Sequence, residues 1–283
     1  MADAATPRHL AGGSDVALIL AAHGSSGHAE AALSVLAHAE TLRRSGRFAV
    51  VRAGFIRQEP LLGMAMAGIA ASDVYVVPVF ASRGHIASTA IARELRLDGR
   101  VTWRDGGRQR ILLCDPVGTH RAVVDVIERR VRQVFAAHRL DGPGTEIVLV
   151  GHGTPRNPQS ARQTRRVADD LARRGVAAAV HPLFLEEPPL VDGWPDRTRA
   201  RDILAVPFLI GSGYHGTQDL PARLGIDPGA PGLPDLVHGA GIAGPFAAGN
   251  RRLWLTNPVG NEPAIADIIL KIVEEFDPDA GET

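Results

Sequence analysis

The sequence predicts an α/β protein of two tandem-duplicated lobes, each a parallel sheet flanked by helices. Two observations carry this. Four short motifs recur in the same order in the two halves of the chain, and within each half short apolar runs alternate with longer amphipathic stretches. Val16-Ala-Leu-Ile-Leu-Ala-Ala-His23-Gly24-Ser25 matches Ile147-Val-Leu-Val-Gly-His152-Gly153-Thr154. Phe55-Ile-Arg-Gln-Glu59-Pro60-Leu-Leu matches Phe184-Leu-Glu-Glu187-Pro188-Pro-Leu. Val76-Val-Pro78-Val-Phe80 matches Ala205-Val-Pro207-Phe208-Leu209, and Asp115-Pro116-Val-Gly118 matches Asn257-Pro258-Val-Gly260. The offset between partners stays between 128 and 142 residues. Four matches in register mark a duplication, with lobes expected at 15–139 and 145–275.

Taken in order, residues 16–22 read as a buried strand. Residues 29–45 follow as a helix, with Ala32, Leu33, Leu36, Ala39 and Leu42 near helical spacing. A second strand is expected at 48–55, a short helix at 61–71, a β-branched third strand at 74–80 and a helix at 87–96. A fourth strand at 110–114 leads into a helix at 119–138. The second half repeats the pattern with strands near 147–150, 177–184, 203–209 and 252–255. Strand alternating with helix means parallel sheets covered on both faces. Leu140-Asp-Gly-Pro-Gly144 has the turn residues of a linker. Residues 226–250, rich in Gly, Pro and Ala, read as an irregular surface excursion.

Composition narrows the function classes. The 283 residues are 45% hydrophobic and 22% charged, enough for a sizeable core. Lys+Arg and Asp+Glu both count 31, so there is no basic excess to suggest nucleic acid or an anionic membrane surface. All but one of the basic residues are arginine, the exception being Lys271; genome bias accounts for that, although guanidinium forks also suit a polycarboxylate ligand. The single cysteine, Cys114, sits in the apolar run from Ile111 and reads as a small core residue. Residues 1–14 lack a charged head followed by an apolar run, and no stretch approaches the roughly 18 apolar residues of a membrane span. A cytoplasmic protein is expected.

The chemistry falls at strand ends, where open parallel sheets bind ligands. Each half places a histidine after its first strand (His23, His152), a glutamate after its second (Glu59, Glu187) and a histidine in the loop after its third (His85, His215). Imidazoles with one carboxylate suit Co²⁺, Fe²⁺, Ni²⁺ or Zn²⁺, and three protein ligands leave coordination positions open. The adjoining Gly24, Gly84, Gly153 and Gly216 let backbone approach a flat ligand. One such histidine alone is more often structural; the duplicated set favours a metal or catalytic role. His9, His28, His38, His120, His138, His181 and His238 fall at unrepeated positions and read as ordinary.

These motifs carry a resemblance. Each half resembles a unit of the sirohydrochlorin chelatase family, the small class II chelatases of cobalamin and siroheme synthesis. The second half is the closer, with His152-Gly-Thr-Pro-Arg156-Asn157-Pro158, Phe184-Leu-Glu-Glu187-Pro-Pro189 and Gly213-Tyr-His215-Gly-x-x-Asp219-Leu-Pro221. The resemblance implies insertion of a divalent metal, Co²⁺ or Fe²⁺, into sirohydrochlorin, a flat tetrapyrrole held in a cleft; insertion of Ni²⁺, or a porphyrin as substrate, is the related alternative. It implies metal ligation by His152, His215 and Glu187, with His23, His85 and Glu59 as first-half equivalents. Two-lobed members commonly keep a full set in only one half, whereas both sets are present here. Ser25-Ser26-Gly27-His28 stands where an arginine and asparagine are usual. The cysteine motif of some long members is absent, so no iron–sulfur cluster is expected.

Metalation strips two protons from pyrrole nitrogens, a task for a histidine near neutrality. His152 and His215 lead as metal and base pair, with His23 and His85 next. Arg156, Arg57 and Arg83 stand beside these loops as candidates to pair with the tetrapyrrole's peripheral carboxylates. No Gly-x-x-x-x-Gly-Lys motif exists, so no nucleotide is expected. A protein that delivers metal or tetrapyrrole without turnover remains the alternative. A phosphotransfer enzyme would want more arginines beside His23 or His152 than Arg156. The expected partners are the tetrapyrrole alone, with the fused chain acting as a monomer.

Overall fold

The computed structural model describes residues 15–84, 89–155, 158–210, 219–233, 236 and 241–278. The first repeat runs β1 (Val16–Ala22), α1 (Leu33–Arg44), β2 (Val50–Phe55), α2 (Leu62–Met66), β3 (Asp73–Pro78), α3 (Ile91–Glu94), β4 (Val101–Arg104), β5 (Gln109–Leu113) and α4 (Ala122–His138). The second runs β6 (Thr145–Gly151), α5 (Gln159–Arg173), β7 (Ala179–Phe184), α6 (Trp194–Arg197), β8 (Asp202–Pro207), α7 (Leu220–Arg223), β9 (Ile242–Ala248), β10 (Arg251–Thr256) and α8 (Ile265–Glu274). Each repeat builds a five-stranded sheet, in the orders β2-β1-β3-β5-β4 and β7-β6-β8-β10-β9.

Four strands of each sheet are parallel, and the fifth is an antiparallel edge. β1 and β6 are central and buried along their whole length, as their unbroken apolar runs require. The edge strand β9 lies in the 226–250 stretch expected to be irregular, and β4 lies where no element is expected. Their signal was turn chemistry. Asp105, Gly106 and Gly107, with φ of 51°, 66° and 90°, join β4 to β5, and Gly249, at φ 63°, joins β9 to β10.

Helix phase also differs from expectation. α1 and the turn before it bury Ala32, Val35, His38, Ala39 and Leu42, while Leu33 and Leu36 remain 46% and 44% exposed. α5 buries Ala161, Thr164, Val167, Ala168 and Leu171, each numbered 129 above its α1 counterpart. The two repeats therefore share one register, without insertion, through this region.

By packing, the chain divides into two compact units. One holds the described residues of Met1–His120 and Pro263–Thr283, the other Arg121–Glu262. The repeat boundary near 139–145 is thus a division of sequence, and the packing division lies elsewhere. α8 belongs to the first unit, burying Ile265, Ile268, Ile269 and Ile272, and Phe276 just beyond it meets the Tyr75 ring edge-on at 5.8 Å. α4 belongs to the second, where Asp125 and Glu128 each receive Arg174 at 2.7 Å.

At the ends of the strands away from the histidines, each sheet carries a bidentate fork between register partners. Arg110 grips Asp73 at 2.7 and 2.6 Å, and Arg252 grips Asp202 at 2.6 Å through both nitrogens. The bond to Asp73 holds the Arg110 guanidinium above its ordinary pKa. Such pairs pin strand register more surely than they add stability. No helix among the described residues is long and apolar enough to cross a membrane.

The Asp115-Pro-Val-Gly118 motif has a steric basis. A Cβ on Gly118 would lie 2.3 Å from the Ala81 carbonyl oxygen, and the Gly118 N–H donates to Phe80 at 2.9 Å. Gly118→Ala is expected to lower stability by about 1–3 kcal/mol, the usual cost of overpacking, in urea unfolding; unchanged stability would show that the two segments part freely. Cys114 is buried as expected, and burial pushes its thiol well above the ordinary range. It should resist iodoacetamide at pH 8 until the protein unfolds, whereas labelling of the folded chain would contradict that burial.

Candidate active site

In both sheets the first strand lies between the second and third, so connections leave it in opposite directions. This is the switch point at which open α/β sheets leave a crevice beyond the strand ends. His23 follows β1 and His152 follows β6, each partly buried. Their backbone oxygens extend the ladder, receiving the Arg57 N–H at 2.9 Å and the Glu186 N–H at 3.0 Å. The glycine after each histidine turns the chain at positive φ, 67° at Gly24 and 66° at Gly153. Neither has room for a side chain. A Cβ on Gly24 would meet the Cβ atoms of Gln58 at 2.7 Å and Phe55 at 3.0 Å; one on Gly153 would meet Glu187 Cγ and Phe184 Cβ, both at 2.8 Å.

Those contacts fix the correspondence between halves. Phe55 N–H donates to Pro60 O as Phe184 N–H donates to Pro189 O, both at 2.9 Å. Phe55 bridges Leu61 as Phe184 bridges Leu190. The offset is 129 throughout, so the counterpart of Glu187 is Gln58, and Glu59 is the counterpart of Pro188. The expected equivalence of Glu59 with Glu187 is thereby corrected by one residue. Glu59 is exposed, and its carboxylate accepts the Leu61 N–H at 3.2 Å. A constant offset, carried from His23/His152 to Pro78/Pro207, was the signal available in the sequence.

The two corners differ chemically. In the first, the Gln58 amide is committed at both ends: Oε1 accepts the Ser25 N–H at 3.0 Å and Nε2 donates to Ala29 O at 3.2 Å. In the second, Glu187 Oε1 is buried and, among the described residues, has no hydrogen-bond partner. A buried carboxylate oxygen left without a donor is costly, and a cation relieves that cost. On the residue before Gly153, His152 Nδ1 lies 2.7 Å from the Gly153 carbonyl oxygen. A carbonyl only accepts, so Nδ1 is the donor in this bond, which leaves Nε2 as the ring nitrogen that could ligate a metal. A second nitrogen bonded to a carbonyl is the usual support of a metal-binding histidine. Glu186 Oε1 stands 3.7 Å from that Nε2.

The strand exit carrying these acids is braced from α7. Arg223 donates to the Leu185 carbonyl and forks onto Asp192, at 3.0 Å through Nε, which holds the Asp192 carboxyl below its usual range. Of the remaining expected residues, His85, His215 and Arg156 lie outside the described residues. Arg57 is exposed at the first corner. Arg83 pairs with Asp115 at 2.9 Å, and Arg100 reaches the same oxygen at 3.2 Å. The structure thus brings Glu187 against Gly153, the residue after His152, and brings Gln58, in place of Glu59, against Gly24, the residue after His23. Among the described residues no cluster of three or more metal-binding side chains forms. His181, read as ordinary, pairs with Glu146 at 3.1 Å.

A family model described as CbiX matches residues 17–134 and again 146–276. A probable sirohydrochlorin cobaltochelatase of Halobacterium salinarum is 31% identical over 270 residues, 90% of this chain and 89% of its own. A sirohydrochlorin cobaltochelatase of Methanosarcina barkeri is 31% identical over 134 residues, which is 46% of this chain and 94% of its own. A solved structure of DR2241 from Deinococcus radiodurans, described as multi-domain with structural similarity to chelatases, matches 91% of this chain at 28% identity with a TM-score of 0.71. This chain spans about half of that one, 54% of its length.

Gly153→Ala tests the corner. Left-handed backbone and the 2.8 Å contacts act together, so a loss of about 1–3 kcal/mol in thermal or urea unfolding is expected. Wild-type stability would mean that the Glu187 side chain yields without cost.

Proposed function

This chain belongs to the CbiX family and is a metal chelatase, and on that premise we propose that it inserts a divalent metal into sirohydrochlorin at the strand ends of its second half. The observation that carries the choice of half is the buried Glu187 oxygen, without a donor among the described residues, against the glycine that follows His152, compared with an amide at the same position in the first half. The metal is a substrate here. A carboxylate balances part of its charge while imidazole supplies a borderline-soft lone pair; an amide already bonded at both ends does neither. His215, expected from the next loop, completes the proposed set.

Metalation breaks two pyrrole N–H bonds and forms metal–nitrogen bonds to the ring, releasing two protons. Glu187 is placed to accept one. His152 accepts the other at Nε2 once the metal has passed to the macrocycle, since the lone pair that held the ion is then free. The step consumes no nucleotide. Cobalt is the first choice, because the names of the relatives specify it; histidine and carboxylate also accept iron and nickel.

The test is anaerobic metalation of sirohydrochlorin by Co²⁺, followed by absorbance. Glu187→Gln, which restores the first half's chemistry at this position, should slow the reaction by about 10²-fold or more, and His152→Ala similarly. Gln58→Ala and His23→Ala should cost only a few-fold. A full rate in Glu187→Gln would overturn the assignment to the second half. Absence of any acceleration by the wild type would replace the enzyme with a binding protein.

A further inference from the structure

The shared register of α1 and α5 extends to their outward faces. Leu33 and Leu36 in the first unit correspond to Arg162 and Arg165 in the second, and all four are exposed. The same stretch of helix after the His-Gly loop is therefore apolar in one unit and cationic in the other. Arg165 has a fixed position. Its guanidinium carbon lies 4.9 Å from the centroid of the Phe184 ring. Phe184 Cβ is in turn one of the two atoms crowding Gly153, the other being Glu187 Cγ. One aromatic ring thus separates this guanidinium from the corner proposed to hold the metal.

Several arginines of the second unit are spent on carboxylates: Arg132 on Glu128, Arg173 on Asp170, Arg174 on Asp125 and Glu128, Arg223 on Asp192, Arg252 on Asp202. Arg165 has no carboxylate partner among the described residues. A ring face restrains a guanidinium without consuming its N–H donors, which lie in the plane and point outward. The result is a pre-positioned planar donor set at the strand-end rim, and it matches the geometry of a carboxylate.

We propose that Arg165 binds a peripheral carboxylate of the tetrapyrrole and makes the site selective for carboxylate-rich macrocycles. This rests on the reading that the second half metalates sirohydrochlorin. Arg165 takes no part in the proton or metal transfer; it sets substrate affinity and orientation.

The experiment is titration of metal-free sirohydrochlorin into wild type, Arg165→Lys and Arg165→Ala, with Co²⁺ binding and thermal unfolding measured on the same proteins. Arg165→Ala should weaken tetrapyrrole binding by about tenfold, the scale of one charge-assisted hydrogen bond, with Co²⁺ affinity and unfolding midpoint unchanged. Arg165→Lys should recover part of the loss, keeping the charge without the fork. The loss should shrink in high salt and with a porphyrin bearing fewer carboxylates. Unaltered sirohydrochlorin affinity in Arg165→Ala would overturn the proposal, as would a parallel fall in Co²⁺ affinity and unfolding midpoint, which would make Arg165 structural. Failure of the wild type itself to bind the tetrapyrrole would instead sink the functional reading, and this inference with it.

Discussion

The chemistry at the strand ends depends on one close approach. The backbone of the glycine after each histidine lies against the phenylalanine that ends the neighbouring strand, with no room for a Cβ and with φ positive. That contact turns the chain at the ladder's last hydrogen bond. It also sets the histidine over the switch point and brings the position three residues beyond the phenylalanine against the same glycine. Gln58 and Glu187 occupy that position because the geometry leaves one place for it. Glycine at Gly24 and Gly153 is what lets two parallel strands close to this spacing while a polar side chain is held between their exits.

On this common frame the two corners have diverged in chemistry. The amide of Gln58 laces the first loop to Ala29, whereas Glu187 holds an oxygen that nothing among the described residues satisfies. The outward face of the following helix is leucine in one unit and arginine in the other. At the motif after the fourth parallel strand, Asp115 gathers Arg83 and Arg100, while the second half has Asn257. Each of these changes alters charge at the strand-end rim and leaves the buried set of the helices and strands untouched. Core positions are constrained by packing density, rim positions by whatever binds there.

The opposite ends of the sheets show the converse. The Asp73–Arg110 and Asp202–Arg252 forks are alike in both units and far from the histidines. They join register partners on adjacent parallel strands. Their arginines stand at different offsets in the two repeats, so no constant spacing announces them. Only the pairing of strands makes each fork visible.

The sequence by itself determined the duplication, the parallel α/β class and the edge of the sheet at which the candidate residues gather. Those follow from apolar runs, helical spacing and motifs at strand ends, all local properties of the chain. His152 and Glu187, the pair proposed to bind the metal, were named from the same motifs. The constant offset also held the counterpart of Glu187, which is Gln58, although residue type pointed to Glu59; the side chain that meets Gly24 decides between them. Two features were decided only by tertiary structure. The last helix of each repeat packs in the unit that its own sheet does not form, because helix docking depends on the path of the chain. Arg165 lies over the Phe184 ring at the strand end, a contact that joins residues 19 apart along the chain. Spacing reports what one element does; contacts between elements are made only when the chain has folded.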